Sequence, residues 1–136
     1  MRLERIGVLV GGGPAPGTNG VIAAVAIEGI NRGCSVLGLH NGFEWLAQHF
    51  TDEQHELSIA EVSRIHLRGG TILGTSRIDA AQDERSLENT VLALQKLRVE
   101  ALVAIGGDDV LRSAAALERA SNGAIRVAFV PKTIDN

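Results

Sequence analysis

Four stretches of this chain hold residue types that can do chemistry together. Asp108 and Asp109 follow the run Ala101-Leu102-Val103-Ala104-Ile105-Gly106-Gly107. Asp135 comes 27 residues after Asp108, in the segment Pro131-Lys132-Thr133-Ile134-Asp135-Asn136. Gly11-Gly12-Gly13 lies near the amino terminus, and Arg77 ends the glycine-rich run Gly69-Gly70-Thr71-Ile72-Leu73-Gly74-Thr75-Ser76-Arg77. Carboxylates suit magnesium, which takes oxygen ligands and keeps several waters. One acid can hold the ion while another takes a proton from an alcohol. Glycines let backbone N–H groups converge on a phosphate, and an arginine fork can clamp one. Lys132 adds positive charge. Phosphate cradles, a cation site, a base and basic side chains suit phosphoryl transfer to a hydroxyl. Each piece also has a plainer reading: a turn for the glycines, a surface cation for Arg77, a helix cap for the acidic pair.

These residues must be brought together by the elements between them. Arg5 to Val10 reads as a strand, followed by the first glycine run. Asn19 to Asn31 reads as a helix with Ile22, Ala26, Gly29 and Ile30 near one face and Thr18 or Asn19 as its cap. Cys34 to Leu39 is a second strand, so the first unit is βαβ. His40 to Arg68 is less regular. Asn41-Gly42 marks a turn, and Phe43, Trp45, Leu46 and Phe50 form a small apolar cluster in which Trp45 either packs under a loop or touches a ligand. Ala60 to Leu67 reads as a short helix. Ser86 to Arg98 has Leu87, Val91, Leu94 and Leu97 at helical spacing, capped by Ser86 or Asp83. Ala101 to Ile105 is an unbroken apolar run of strand length, as in an interior parallel strand. A helix from Val110 to Ala120 closes at Asn122-Gly123, and Ile125 to Val130 is a further strand. The fold class is α/β, Rossmann-like and doubly wound, with a mainly parallel sheet flanked by helices. Ligands in such sheets bind at the carboxyl ends of strands, where each glycine or acidic run stands.

Composition narrows the field. A chain of 136 residues with 45% apolar content is long enough for one domain with a real core. A net charge of −3 gives no electrostatic case for nucleic acid. The single cysteine, Cys34, excludes an internal disulfide and reads as a small core residue. Neither a signal peptide nor a membrane span is evident, so a soluble cytoplasmic protein is expected. The first glycine run is not Gly-x-Gly-x-x-Gly and lacks the Lys-Ser/Thr of a P-loop, which weighs against nicotinamide binding.

The four blocks, in this order and across nearly the whole chain, resemble the amino-terminal part of a 6-phosphofructokinase. The blocks are Gly11 to Asn19, Gly69 to Arg77, Gly106 to Asp109 and Pro131 to Asn136. The resemblance implies transfer of a phosphoryl group to the 1-hydroxyl of fructose 6-phosphate with Mg2+ as cofactor. It implies that Gly11, Gly12, Gly13 and Gly107 border the phosphoryl donor and that Arg77 contacts its phosphates. Asp108 resembles the magnesium-associated carboxylate. Thr133 would touch the sugar phosphate or the transferred group, and Asp135 resembles the base that takes the hydroxyl proton. In the ATP-dependent branch the acidic block resembles Gly-Gly-Asp-Gly-Ser, and a glycine precedes Thr-Ile-Asp. Asp109 and Lys132 in those places are similar to the pyrophosphate-dependent branch. A carboxylate at Asp109 would crowd and repel the α-phosphate of ATP, while Lys132 would attract compact, highly charged pyrophosphate. Two departures stand out: Val110 where serine or threonine is usual, and Gly13 where ATP-dependent members carry aspartate. Residues 1–136 are thus expected to be the donor-binding portion of a homo-oligomeric enzyme, inactive alone because much of the fructose 6-phosphate site lies elsewhere. ATP-dependent phosphofructokinase and a noncatalytic phosphate-binding or regulatory module are the alternatives.

Overall fold

A computed structural model of the chain describes residues 2–13 and 15–132. Five strands form one sheet: β1 (Arg5–Val10), β2 (Ser35–Leu39), β3 (Gln54–Glu56), β4 (Ala101–Gly106) and β5 (Arg126–Pro131). Their spatial order is β3-β2-β1-β4-β5. All pairings are parallel except β2 with β3, which is antiparallel over Leu37 to Leu39. The helices are α1 (Thr18–Asn31), α2 (Ile59–Val62), α3 (Glu84–Lys96) and α4 (Asp108–Ala120), with short 3-10 turns at Leu46–Gln48 and Ile65–Leu67.

The sequence explains why the sheet is covered on both faces. Successive side chains of a strand point to opposite faces. Val8 and Val10 join one core with Ile22 and Ala26 of α1, Val62 of α2 and Leu73. Leu9, between them, joins a second core with Leu94 of α3, Ala114 and Leu117 of α4, and Leu102 and Ala104 of β4. A strand buried on both faces needs apolar residues along it, and β4 and the stretch of β1 after Arg5 have them. Connections leave β1 in one direction to β2 and return past it to β4, so the sheet changes direction between β1 and β4. That is the topological switch point of an open α/β sheet, where a crevice forms at the strand ends.

Several local expectations change. The edge strand β3 is new, because Gln54-His55-Glu56 carries no apolar signal; as an outer strand it needs none. Ala60 to Leu67 is not one helix but α2 followed by the 3-10 turn. Helix α4 begins at Asp108, not Val110, which puts both aspartates in its first turn. Neither Thr18 nor Asn19 caps α1. The N-cap is Gly17 at φ 87°, without a side-chain cap. Asp83, not Ser86, caps α3 by accepting from the Ser86 N–H at 2.7 Å. Cys34 is only half-buried, its thiol donating to the Leu3 carbonyl at 3.2 Å. Trp45 packs edge-on against Phe50 at 5.9 Å between ring centroids, but Phe50 is 51% exposed, so that cluster is only partly a core.

Candidate functional site

Residues 12–13, 76–78, 107–110 and Lys132 line one cleft of about 300 Å³. It opens at the carboxyl ends of β1 and β4, at the switch point. The site begins with backbone. The Gly11 N–H donates to the Ile105 carbonyl at 2.9 Å, which fastens the exit of β1 to that of β4. The Gly12 N–H donates to the Ser76 carbonyl at 2.9 Å, and the Thr75 hydroxyl donates to the Gly12 carbonyl at 2.5 Å. The two glycine runs are thereby held against each other. Gly12 has φ +79°, a backbone shape that glycine adopts at no steric cost. Asn19 completes the frame from beneath: its side-chain N–H donates to the Arg68 carbonyl at 3.0 Å, and its carbonyl accepts from the Ile72 N–H at 2.9 Å.

Val110 explains two more glycines. Its side chain is 5% exposed and lies where a Cβ on either Gly11 or Gly106 would stand. The valine departure therefore fills the gap beneath the strand ends. It replaces a hydroxyl with packing, and a side chain at either glycine would force it to move.

The charged groups stand on this frame. Gly107 is the N-cap of α4 and supplies no side-chain cap. The first amides of a helix have no intrahelical acceptor, and a phosphate oxygen is a suitable partner. Asp108 and Asp109 are both exposed in that first turn. Acids there are favoured by the helix dipole. Asp109 pairs with Arg112, one turn on. The remaining ion pairs among the described residues are Arg32–Glu28, His40–Glu53 and His55–Glu61, so Asp108 is in none of them. The Lys132 N–H donates to the Gly106 carbonyl at 2.9 Å, and its ammonium donates to the Gly13 carbonyl. Burial pulls Lys132 below the ordinary lysine range, and the positive charge of Arg77 pulls the same way. Two basic groups thus face one space, and neither is in an ion pair among the described residues.

Sequence reading placed Gly11, Gly12, Gly13, Arg77, Gly107, Asp108, Asp109 and Lys132 at one site. All but Gly11 line the cleft, and Gly11 ties its floor. Thr133 and Asp135 lie outside the described residues. Sequence reading missed Arg112, although its i,i+3 spacing from Asp109 is legible once the helix start is known. It also missed the role of Asn19, whose contacts lie about 50 residues away. Among the described residues no group of three or more His, Cys, Asp or Glu is close enough to hold a metal. Magnesium does not need one, since it is commonly held by one or two carboxylates, waters and substrate phosphates. An exposed Asp108 outside every ion pair, beside open helix amides, fits that mode.

Fold and site together define a doubly wound α/β domain with a cleft lined by glycines, two carboxylates and two cations at its switch point. The sequence profile described as Phosphofructokinase matches residues 5–136, and the chain belongs to that family. It is 53% identical over 133 residues to a pyrophosphate–fructose 6-phosphate 1-phosphotransferase of Thermotoga maritima, covering 98% of this chain and 32% of that protein. It is 37% identical to an ATP-dependent 6-phosphofructokinase of Alkaliphilus metalliredigens, covering 98% of this chain and 40% of that one. The Pichia pastoris phosphofructokinase in the T-state superposes with a TM-score of 0.85 at 28% identity, over 99% of this chain and 17% of that one. The chain therefore spans about a third of the length of the curated relatives it matches. Among the described residues no helix is long and apolar enough to cross a membrane.

Proposed function

We propose that the protein to which this chain belongs transfers a phosphoryl group from pyrophosphate to the 1-hydroxyl of fructose 6-phosphate. The products are fructose 1,6-bisphosphate and orthophosphate, and the reaction is reversible. The observation that carries this reading is the meeting of Lys132, Arg77, Asp108 and Asp109 at one cleft with the amino end of α4. The greater identity to the pyrophosphate-dependent relative than to the ATP-dependent one supports the choice of donor.

The roles follow from chemistry. Lys132, Arg77 and the amides of Gly13 and Gly107 bind the donor phosphates and offset charge on the transferring group, with Gly12 shaping the loop beside them. Asp108 is the carboxylate that would hold Mg2+, which when bound neutralises phosphate charge and orients the donor. Asp109 occupies space that a larger donor would need. Asp135 takes the proton as the 1-hydroxyl oxygen attacks phosphorus, the bond to the leaving phosphate breaks, and Thr133 orients the sugar phosphate or transferred group. These last two roles rest on the family motif. A cytoplasmic homo-oligomer belongs to the same reading, as does the expectation that residues 1–136 alone are inactive.

One experiment tests the donor directly. Turnover of fructose 6-phosphate by the full-length protein is measured with pyrophosphate and with ATP, each with magnesium. A strong preference for pyrophosphate is expected, and a strong preference for ATP refutes the proposal. A coupled assay on the 136-residue polypeptide should show no substantial phosphoryl transfer.

A further inference from the structure

Arg77 stands on residues 74–79, a segment without helix or strand. It lines the cleft together with its neighbours Ser76 and Ile78. Its side chain is exposed and in no ion pair among the described residues. No acid therefore aims the guanidinium, and its place in the cleft depends on the backbone beneath it. A segment outside helices and sheets is fixed by the hydrogen bonds it makes to other elements.

Bonds of that kind hold both sides of Arg77. Upstream, the Thr75 hydroxyl and the Ser76 carbonyl are fastened to Gly12, and the Ser76 hydroxyl accepts from the Ile78 N–H at 3.0 Å. Downstream the anchor is Asp79. Its Oδ1 accepts from the Ala81 N–H at 2.8 Å and from the Ser113 hydroxyl of α4 at 2.7 Å. Ser113 returns a bond, its oxygen accepting from the Ala80 N–H at 3.1 Å. Ala80 and Ser113 are fully buried, and Asp79 is half-buried. A serine hydroxyl has one hydrogen to give. With that hydrogen on Asp79, the serine oxygen is turned to receive Ala80. A carboxylate is the stronger acceptor for it, since hydrogen bonds to an ionised oxygen exceed neutral ones. Asp79 is also the acid nearest to Arg77 in the chain, yet it forms no ion pair with it. Its Oδ1 is taken by Ser113 and Ala81, and the arginine keeps its charge for the cleft.

We infer that Asp79 is a positioning residue for Arg77, acting through Ser113 to hold the arginine at a fixed place across the cleft from the acidic turn of α4. The inference rests on the donor-binding role proposed for Arg77. Asp79 is not among the residues that line the cleft, so it acts through its neighbour and not on the donor. Ser113 lies on the same helix as Asp108 and Asp109, four residues after the second of them. One short path of bonds thus links the segment of the cation to the helix of the carboxylates. Without it the cation must be ordered each time a donor binds, and ordering a long side chain lowers affinity.

The test follows binding of inorganic pyrophosphate with magnesium to the full-length protein by calorimetry, together with KM for pyrophosphate. Arg77→Ala alone examines the donor role: an unchanged affinity ends that role and this inference with it. Given a loss there, Asp79→Ala should weaken pyrophosphate about 3- to 10-fold in Kd and KM, and by less than Arg77→Ala does. Asp79→Asn keeps an acceptor oxygen for Ser113 and should recover most of the affinity. In an Arg77→Ala background, Asp79→Ala should cost less than about 2-fold more. The inference is overturned if Asp79→Ala leaves pyrophosphate affinity unchanged, if its cost persists in full without Arg77, or if Asp79→Asn binds as weakly as Asp79→Ala. Should Asp79→Ala fail to fold, Ser113→Ala cuts the same bond from the helix side and is read by the same cycle with Arg77→Ala.

Discussion

Helices α1 and α4 are built to the same plan and used in opposite ways. Each follows a central strand and a glycine turn, and those strands, β1 and β4, pair side by side. Both helices begin at a glycine without a side-chain cap. Yet the polar residues in the first turn of α1, Thr18 and Asn19, are 4% and 2% exposed. They bond inward, Thr18 to the Ala15 carbonyl and Asn19 to the loop of Arg68 and Ile72. In α4 the first-turn residues Asp108 and Asp109 are exposed at the cleft, and Val110 and Ser113 turn inward. The motif at a strand end therefore does not decide its use. What decides it is whether the first-turn side chains find backbone to hold. The β1 unit builds the wall and the β4 unit presents charge.

The division breaks or stands on the largest effects. Lys132→Ala removes the ammonium from the cleft, and kcat/KM with pyrophosphate should fall about 10²- to 10³-fold, as when a donor to a transition-state anion is lost. Melting temperature should change little. Asn19→Ala should do the reverse. It removes the acceptor of the half-buried Ile72 N–H, which costs about 0.5–1.5 kcal/mol of stability by denaturant unfolding. Activity per folded molecule should fall far less than for Lys132→Ala. If Asn19→Ala matched the catalytic loss of Lys132→Ala without a change in stability, the wall and the chemistry would not be separate.

Ser113→Ala probes the wall side of α4 itself. The fully buried Ser113 hydroxyl donates to Asp79 at 2.7 Å and accepts from the Ala80 N–H at 3.1 Å. Its loss strands a buried N–H and frees the segment just after Arg77. A cost of about 1–2 kcal/mol is expected in chemical denaturation, with a rise in KM for pyrophosphate larger than any fall in kcat. Unchanged stability and KM would show that this clamp holds nothing.

How much of this was legible in the sequence depends on the range of the interaction. β1, β4 and the α3 pattern are local signals, because apolar runs and i,i+3/i+4 spacing are set by neighbours in the chain. The acidic pair, the glycine runs, Arg77 and Lys132 were legible as residue types at strand ends. β3 was not, because an edge strand with one partner needs no buried face. The start of α4 was misplaced because Gly106-Gly107-Asp108-Asp109 looks like a turn, although aspartate is favoured in a first helical turn. Asn19 was read as a cap, since nothing nearby in the chain shows that its partners come 49 and 53 residues later. Val110 read as a missing hydroxyl, and only packing revealed it as the reason for Gly11 and Gly106.

The pH dependence of Lys132 refines the electrostatic half of the comparison. Its proton is held less tightly in the folded protein than in the unfolded chain, through burial and then Arg77. Between the lowered value and the ordinary lysine range the unfolded chain binds more protons. The contribution of Lys132 to stability therefore rises with pH in that window. For function the sign is opposite: the ammonium that attracts pyrophosphate is lost at a lower pH than for an ordinary lysine. The alkaline limb of log kcat/KM should begin below the ordinary lysine range. Arg77→Ala lowers the plateau but moves that limb to higher pH, because one cause of the depression is gone. A limb that stays in place would sink the coupling between these two cations.

The smallest effect concerns Arg112 and decides how the acidic turn discriminates. An exposed i,i+3 pair on a helix contributes only about 0.2–0.5 kcal/mol, so Arg112→Ala should barely move the melting temperature. Its consequence lies in the cleft. With Arg112 present, the charge of Asp109 is partly offset, and Asp109 acts on donors mainly through the space it fills. Without Arg112 the carboxylate repels any phosphate donor more strongly. KM for pyrophosphate should rise a few-fold at low ionic strength, and the rise should shrink toward 0.1 M salt, where the screening length is about 10 Å. A double-mutant cycle isolates the pair: in an Asp109→Gly background, Arg112→Ala should add little beyond the loss of one distant positive charge. If Arg112→Ala costs as much without Asp109 as with it, Arg112 acts on the donor directly and the pair is incidental. If the cost appears only with Asp109 present, Arg112 is what lets an acid stand beside a phosphate site at all. The first turn of α4 would then tolerate its two carboxylates because one is held to the helix and the other is left for the metal.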